Sequence, residues 1–397
     1  MRLTESVMAG GRVMLAGGRE LTPEDIATLK RRFPKLHVRV GDPVLDELVD
    51  FQDDSHDREV AYTVQQRVGE ALAGVQEKFS PRTSLAAVNF SSVQMAVGEV
   101  LQYLKCNSVS ALLLSRSVES DCYLAEHAGN VFYASMLLGA IIREYVAAER
   151  KRQSLVRDLR DDHVMDMTPL GLGAMFADIG MLPLKHLFAL DDPLSDEDRE
   201  AVIRHPLDGA AMLGEDFSPL GRMIVRTHHE NCAGKGYPNA VTRDKLHIFT
   251  RIVRIADAFD AATTQHVYRE AKSVARVIWE MTVGPYRRFY DPYVMKVFAS
   301  LVQPFPIGAR LRMADGRYGV VIRYNQKQPF EPYVVIAFDG QGHRLPEDQL
   351  AGPFRVNERY EWRITKFGDE DLDYLYDSHP SDEDAPELNT VFATMYP

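Results

Sequence analysis

Residues 227–238 read Thr-His-His-Glu-Asn-Cys-Ala-Gly-Lys-Gly-Tyr-Pro (THHENCAGKGYP). Adjacent helical residues project about 100° apart, so His228 and His229 can serve two different ions. Gly234 and Gly236 permit a tight turn before Tyr237-Pro238. Glu230 is expected to orient a ligating histidine through the second ring nitrogen. Working outward, the same residue types recur at His127, at Asp178 in FADIG, at His205 before Pro206, and at Asp257 in RIVRIADAFDAA. Imidazole and carboxylate are ordinary ligands of Fe, Mn and Zn. Asp178 and Asp257 lie in strongly apolar segments read as helices, and a buried isolated carboxylate costs several kcal/mol unless a metal, cation or hydrogen bond meets it. The wide spacing equally fits satisfied core histidines and carboxylates bonded to backbone, because no local metal motif is present.

The flanking sequence is helical in period. Apolar residues recur at three and four over 58–78, 90–103, 118–148, 169–180, 195–202, 206–213, 218–229, 243–264, 271–281 and 291–301. Thr168-Pro169 and Ser195 followed by Asp198 read as helix starts. DFQDDSHD around residue 54 is polar enough for a loop or linker, and the charged run 148–163 reads as a solvated helix end and loop. Upstream, Val13–Leu15 and Leu36–Val40 read as strands around a helix that Thr22-Pro23-Glu24-Asp25 starts and that ends near Arg32. After Pro306 the period becomes two: ARLRM, YGVVIRY and YVVIAF are strand-like, and the tail from Pro353 is acidic. The chain is therefore expected to be mainly α, with a small N-terminal α+β domain (1–57), a helical region (58–304), and a small β-rich appendage with acidic tail (305–397).

With 46 Lys and Arg against 57 Asp and Glu, the formal net charge is −11. This argues against general nucleic-acid binding and polybasic membrane anchoring. Three cysteines without a C-x-x-C pair suit a reducing compartment. The N-terminus lacks a signal-peptide pattern and no apolar run is long enough to span a bilayer, so no membrane insertion and a cytoplasmic location are expected.

THHENCAGKGYP resembles the HHExxDGxGYP signature of HD-GYP domains, helical phosphodiesterases acting on cyclic di-GMP. The resemblance extends over MFADIGMLPL, HPLDGAAML and TRIVRIADAFDAATTQHVYREAKS, covers about 115–304, and continues through PIGARLRMADGRYGVVIRYN. It implies an HD-type helical bundle holding two or three iron or manganese ions, with a bridging hydroxide attacking a phosphodiester. His127, Asp178, His205, His228, His229 and Asp257 match metal ligands, Asp178 doubling as a catalytic residue. Arg269 matches a phosphate-contacting basic residue, and Tyr237 is read as either a substrate contact or a packing residue. Zn or Ni could use the same ligands.

The departures from the signature are coordinated. The histidine before the HD aspartate is Ala177, the glutamate before the early histidine is Tyr123 with Glu126 beside His127, the phosphate lysine is Met181, and the HHExxDG aspartate is Ala233. His266 stands where an arginine is usual, and a neutral imidazole is a weaker phosphate partner. These losses imply a degenerate HD-GYP protein of cyclic-di-GMP signalling with weak or no phosphodiesterase activity, acting by contact with a diguanylate cyclase or another signalling protein, or as a homodimer. The alternatives are an active enzyme using a reduced two-metal site and a non-hydrolysing cyclic-di-GMP receptor.

Overall fold

The computed structural model describes residues 2–376, apart from 4–6, 10–11, 16–18, 33–39, 42–51, 77–89, 108, 110, 113, 115–122, 155–160, 190–193 and 265–270. Contacts divide it into two units, one holding the helices between Asp54 and Pro304, the other the strands of Phe305–Asp377 with the N-terminal elements. In the helical unit, α2 (Gln52–Gln76) and α3 (Ser91–Cys106) precede α4 (Tyr123–Ile141), α5 (Arg143–Gln153) and α6 (Thr168–Met175). A 3-10 segment (Ile179–Ala189) leads to α7 (Asp196–Met212), α8 (Pro219–Thr227), α9 (Ile248–Thr263), α10 (Val274–Thr282) and α11 (Pro292–Leu301).

The polar stretch expected as a linker is instead the start of α2. Asp57 is buried and accepts a hydrogen bond from the Ala111 N–H at 2.8 Å, while Val60, Val64 and Val68 form a buried stripe at four-residue spacing. A single helix over 118–148 is also corrected: the chain bends by 88° at Ile142, where the buried α4 gives way to the charged α5. Nor is the charged run after residue 148 wholly solvated, because Arg150 is buried and donates to the carbonyls of Val164 and Asp166 at 2.6 and 2.7 Å.

The expected helix starts form as read. Ser195 caps α7 in a reciprocal pair with Asp198, and Thr168-Pro169 opens α6. The helix expected over 169–180 stops at Met175, however, and the 195–202 and 206–213 pair is one helix running through Pro206. Pro206 cannot donate to the Val202 carbonyl four residues back, and the His205 ring donates to that carbonyl instead.

Central to the unit is α9, buried from Ile248 through Asp260 and packed on α4. Arg251 anchors it from a fully buried position, donating to Glu149 Oε2 at 2.8 Å and to Asp291 Oδ2 at 3.0 Å. Asp291 also caps α11 by accepting from Tyr293 and Val294 N–H. One carboxylate thus ties two helices together.

In the second unit, β1 (Arg310–Met313), β2 (Tyr318–Arg323), β3 (Tyr333–Phe338), β4 (Ala351–Arg355), β5 (Ile364–Phe367) and β6 (Glu370–Asp371) form an antiparallel sheet of order β6-β5-β1-β2-β3-β4. The exposed-buried alternation of β1 is the period-two signal seen in sequence. The N-terminal helix spans Pro23–Arg32 with Thr22 and Asp25 bonded reciprocally, and the second N-terminal hairpin strand spans Arg12–Leu15. Of the strand expected over 36–40, only Val40 is described. Among the described residues no single helix is long and apolar enough to cross a membrane.

Candidate metal centre

Five stretches of chain bring the six predicted ligands together. Asp178 occupies the turn between α6 and the 3-10 segment, not a helix interior, and His228-His229 follow immediately after the last residue of α8. His127, His205 and Asp257 project from α4, α7 and α9. Close backbone packing sets the approach of Asp178 to His205. A Cβ on Gly180 would lie 2.1 Å from the His205 carbonyl oxygen, so only glycine lets this turn reach α7.

These residues form two groups whose ligand atoms lie within 4.8 Å of one another: Asp178, His205, His228 and His229; and His127, Asp178 and Asp257. Asp178 is shared. Its Oδ1 lies 3.1 Å from His205 Nε2 and 3.3 Å from His228 Nε2, and its Oδ2 lies 3.2 Å from His127 Nε2.

Backbone bonds decide which ring nitrogens face inward. His205 Nδ1 donates to Val202 O, and His228 Nδ1 donates at 2.7 Å to Val225 O, a carbonyl in the last turn of α8. With Nδ1 carrying the hydrogen, each neutral ring presents only a lone pair at Nε2. The two Nε2 atoms are 3.2 Å apart and both face Asp178 Oδ1, which is buried and has no hydrogen-bond partner. His229 joins them with both ring nitrogens buried and unpartnered, Nδ1 3.6 Å from Asp257 Oδ2. Converging lone pairs without a donor repel one another, and a divalent cation is the chemistry that satisfies them. The donor set therefore fits a divalent metal.

Around His127 the arrangement differs. Its Nδ1 meets Asp260 Oδ2 at 2.7 Å, while Nε2 lies 3.3 Å from Asp257 Oδ1. Asp260 is held by Asn130 Nδ2 at 2.9 Å, and Asn130 accepts from Gln65 of α2 at 3.1 Å. Burial opposes a charge on His127, but Tyr123 and the three surrounding carboxylates outweigh it and raise its pKa well above the ordinary value. Burial likewise opposes ionisation of Asp178, and His127 at Oδ2 leads the interactions that override it, holding the carboxyl well below the usual range. His229 is pushed well below an ordinary imidazole by burial, with His228, His205 and Arg254 adding to the effect.

The sequence did not point to Asp260, Asn130 or Gln65. Only Asp260 left a signal, as the second acid of DAFD one turn beyond Asp257. Glu230 does not orient a histidine as expected. It is buried and accepts from the Asn239 and Val241 N–H groups at 2.6 and 3.1 Å, which folds the loop carrying Tyr237 back on itself. Gly236 packs so tightly that a Cβ would lie 2.4 Å from His229 O.

Tyr237 is buried with its ring stacked on His229 at 4.8 Å between centroids, in an apolar cluster with Met181, Leu187, Leu194 and Val202. Tyr123 stacks on His127 at 5.5 Å, and Glu126 belongs to neither group. Arg269 and His266 lie outside the described residues.

A family model described as "HD domain" matches residues 142–294. A cyclic di-GMP phosphodiesterase of Pseudomonas aeruginosa is 29% identical over 181 residues, 43% of this chain and 42% of that protein. A cyclic di-GMP phosphodiesterase of Thermotoga maritima is 26% identical over 212 residues, 50% of this chain and 56% of that protein. A 3'3'-cGAMP-specific phosphodiesterase of Vibrio cholerae is 32% identical over 142 residues, 34% of this chain and 30% of that protein. The chain spans about half the length of the first two relatives. Together with the helical bundle and its two ligand groups, these matches identify an HD domain related to the HD-GYP cyclic-di-GMP phosphodiesterases.

Proposed function

We propose that the protein is a metal-dependent phosphodiesterase of cyclic di-GMP working through a reduced site. One observation carries this reading: the Nε2 lone pairs of His205 and His228 and the unpartnered Oδ1 of Asp178 converge with no donor among them. A site retained only as scaffold would gain by filling that point with apolar or hydrogen-bonded groups. The six ligand-type residues stand in two groups despite Ala177, which favours an active enzyme over the degenerate, contact-only reading.

When bound, a divalent cation supplies Lewis acidity toward phosphate oxygens and acidifies water. The protein's own part is positioning. Asp178 gives one oxygen to each group, and the backbone carbonyls of Val202 and Val225 keep the inner faces of His205 and His228 proton-free. The Asp260 carboxylate sets the orientation of His127. Tyr237 and Met181 present an apolar wall beside His229. Met181 offers no charge to a phosphate, so substrate retention depends on other contacts, and we include Arg269 among them.

The test is turnover of cyclic di-GMP by anaerobically purified protein with its metal content counted, beside Ala177→His and with 3'3'-cGAMP as second substrate. Linear pGpG or GMP from the native chain supports the proposal. Metal-loaded protein that releases no product from either dinucleotide overturns it and favours signalling by protein contact.

A further inference from the structure

The two ligand groups differ in what already satisfies them, and Arg254 makes the difference. It lies one turn before Asp257 on α9, with Nη1 donating to Asp257 Oδ2 at 3.0 Å. Side-chain exposure is 4% for Arg254 and 5% for Asp257, so water does not screen this pair. A guanidinium stays protonated at every accessible pH. The other oxygen, Oδ1, faces His127 Nε2 at 3.3 Å. Asp257 therefore has a neighbour with a hydrogen to give, whereas Asp178 Oδ1 faces only lone pairs.

Charge points the same way. Asp178, Asp257 and Asp260 place three carboxylates in the cluster, and Arg254 offsets one. What remains is no more negative charge than one divalent ion balances. A second ion at His127, Asp178 and Asp257 would take Asp257 Oδ1 while the guanidinium holds Oδ2, so two cations would share one carboxylate.

We propose that Arg254 stands in for the charge of a second metal and limits the centre to one tightly held ion, in the Asp178–His205–His228–His229 group. This rests on the metal reading above and adds an ion count to it. Like charges at such separations in a buried site weaken binding steeply, so a second ion is expected to bind at least about 100-fold more weakly than the first.

The experiment is a Mn2+ titration of the metal-stripped full chain, with free ion counted by electron paramagnetic resonance. The native chain is expected to take one equivalent tightly. Arg254→Gln is expected to take two of comparable affinity, and Arg254→Lys, which keeps the charge, to stay at one. Arg254→Met, similar in volume, replaces the glutamine variant if that does not fold. Two ions of comparable affinity in the native chain overturn the inference while leaving the metal-dependent reading intact. A folded neutral variant that still takes only one ion overturns it as well. No tight Mn2+ at all overturns both.

Discussion

The Nε2 atoms of His205 and His228 lie 3.2 Å apart, each on a ring whose Nδ1 hydrogen is committed to a backbone carbonyl. A contact of this kind destabilises the fold until a cation enters it. Chelation is therefore expected to lower the unfolding free energy by about 3 kcal/mol relative to protein held at a hundredfold excess of ion over Kd. Calorimetry with and without added Mn2+ measures this. His228→Leu should reverse the pattern, losing the response to metal while unfolding no earlier than the native chain when both are metal-free.

Pro206 provides a second test. Its missing N–H leaves Val202 O to the His205 ring, so Pro206→Ala returns a competing backbone donor. The helix should be as stable or better, and metal affinity should fall by about 10- to 100-fold as the ring loses its oriented partner. Circular dichroism and metal counting on one sample separate the two effects. Equal loss of both would show that the proline only supports the helix.

Gly180 sets how closely the Asp178 turn approaches α7. A methyl there would lie 2.1 Å from His205 O and 2.8 Å from the Gly209 nitrogen, and backbone cannot step aside as a side chain can. Gly180→Ala is expected to cost about 3 kcal/mol in urea unfolding. A near-neutral result would mean that the turn and α7 separate easily.

His247 caps α9 by accepting from the Phe249 N–H at 3.1 Å. Burial, with the charges of Arg150 and Arg251, pushes its pKa from 6.5 down to about 4. Between those values the unfolded chain binds more protons than the folded one, so stability falls as pH drops through that window. The loss should reach about 2–3 kcal/mol by pH 4. His247→Asn keeps a cap acceptor and should flatten this part of the stability curve.

Much of this centre could be read directly from sequence, because ligand types and helix periods are local properties. The six residues read as ligands lie together in two groups, and Ser195 and Thr22 cap their helices as expected. What escaped the reading depends on partners distant in the chain. Glu230 looked like a histidine partner until the loop brought Asn239 and Val241 back to it, and the helices read over 195–202 and 206–213 are one because the His205 ring takes the Val202 carbonyl that Pro206 cannot. Arg254 and Asp260 carry no motif; one-turn spacing sets Arg254 against Asp257, and packing across helices sets Asp260 against His127. Ala177 weighed heavily because losses can be counted along a chain, while the convergence of surviving lone pairs cannot.

The hydrogen-bonded path from Gln65 through Asn130 and Asp260 to His127 also bears on how this module can be transplanted. The family match begins at residue 142, after three of those four side chains. A fragment cut at that border would carry His205, His228, Asp257 and Asp260 into a new host but leave His127, Asn130 and Gln65 behind. The smallest portable unit therefore begins with α2, and a helix that looks like a leader to the domain is part of its foundation.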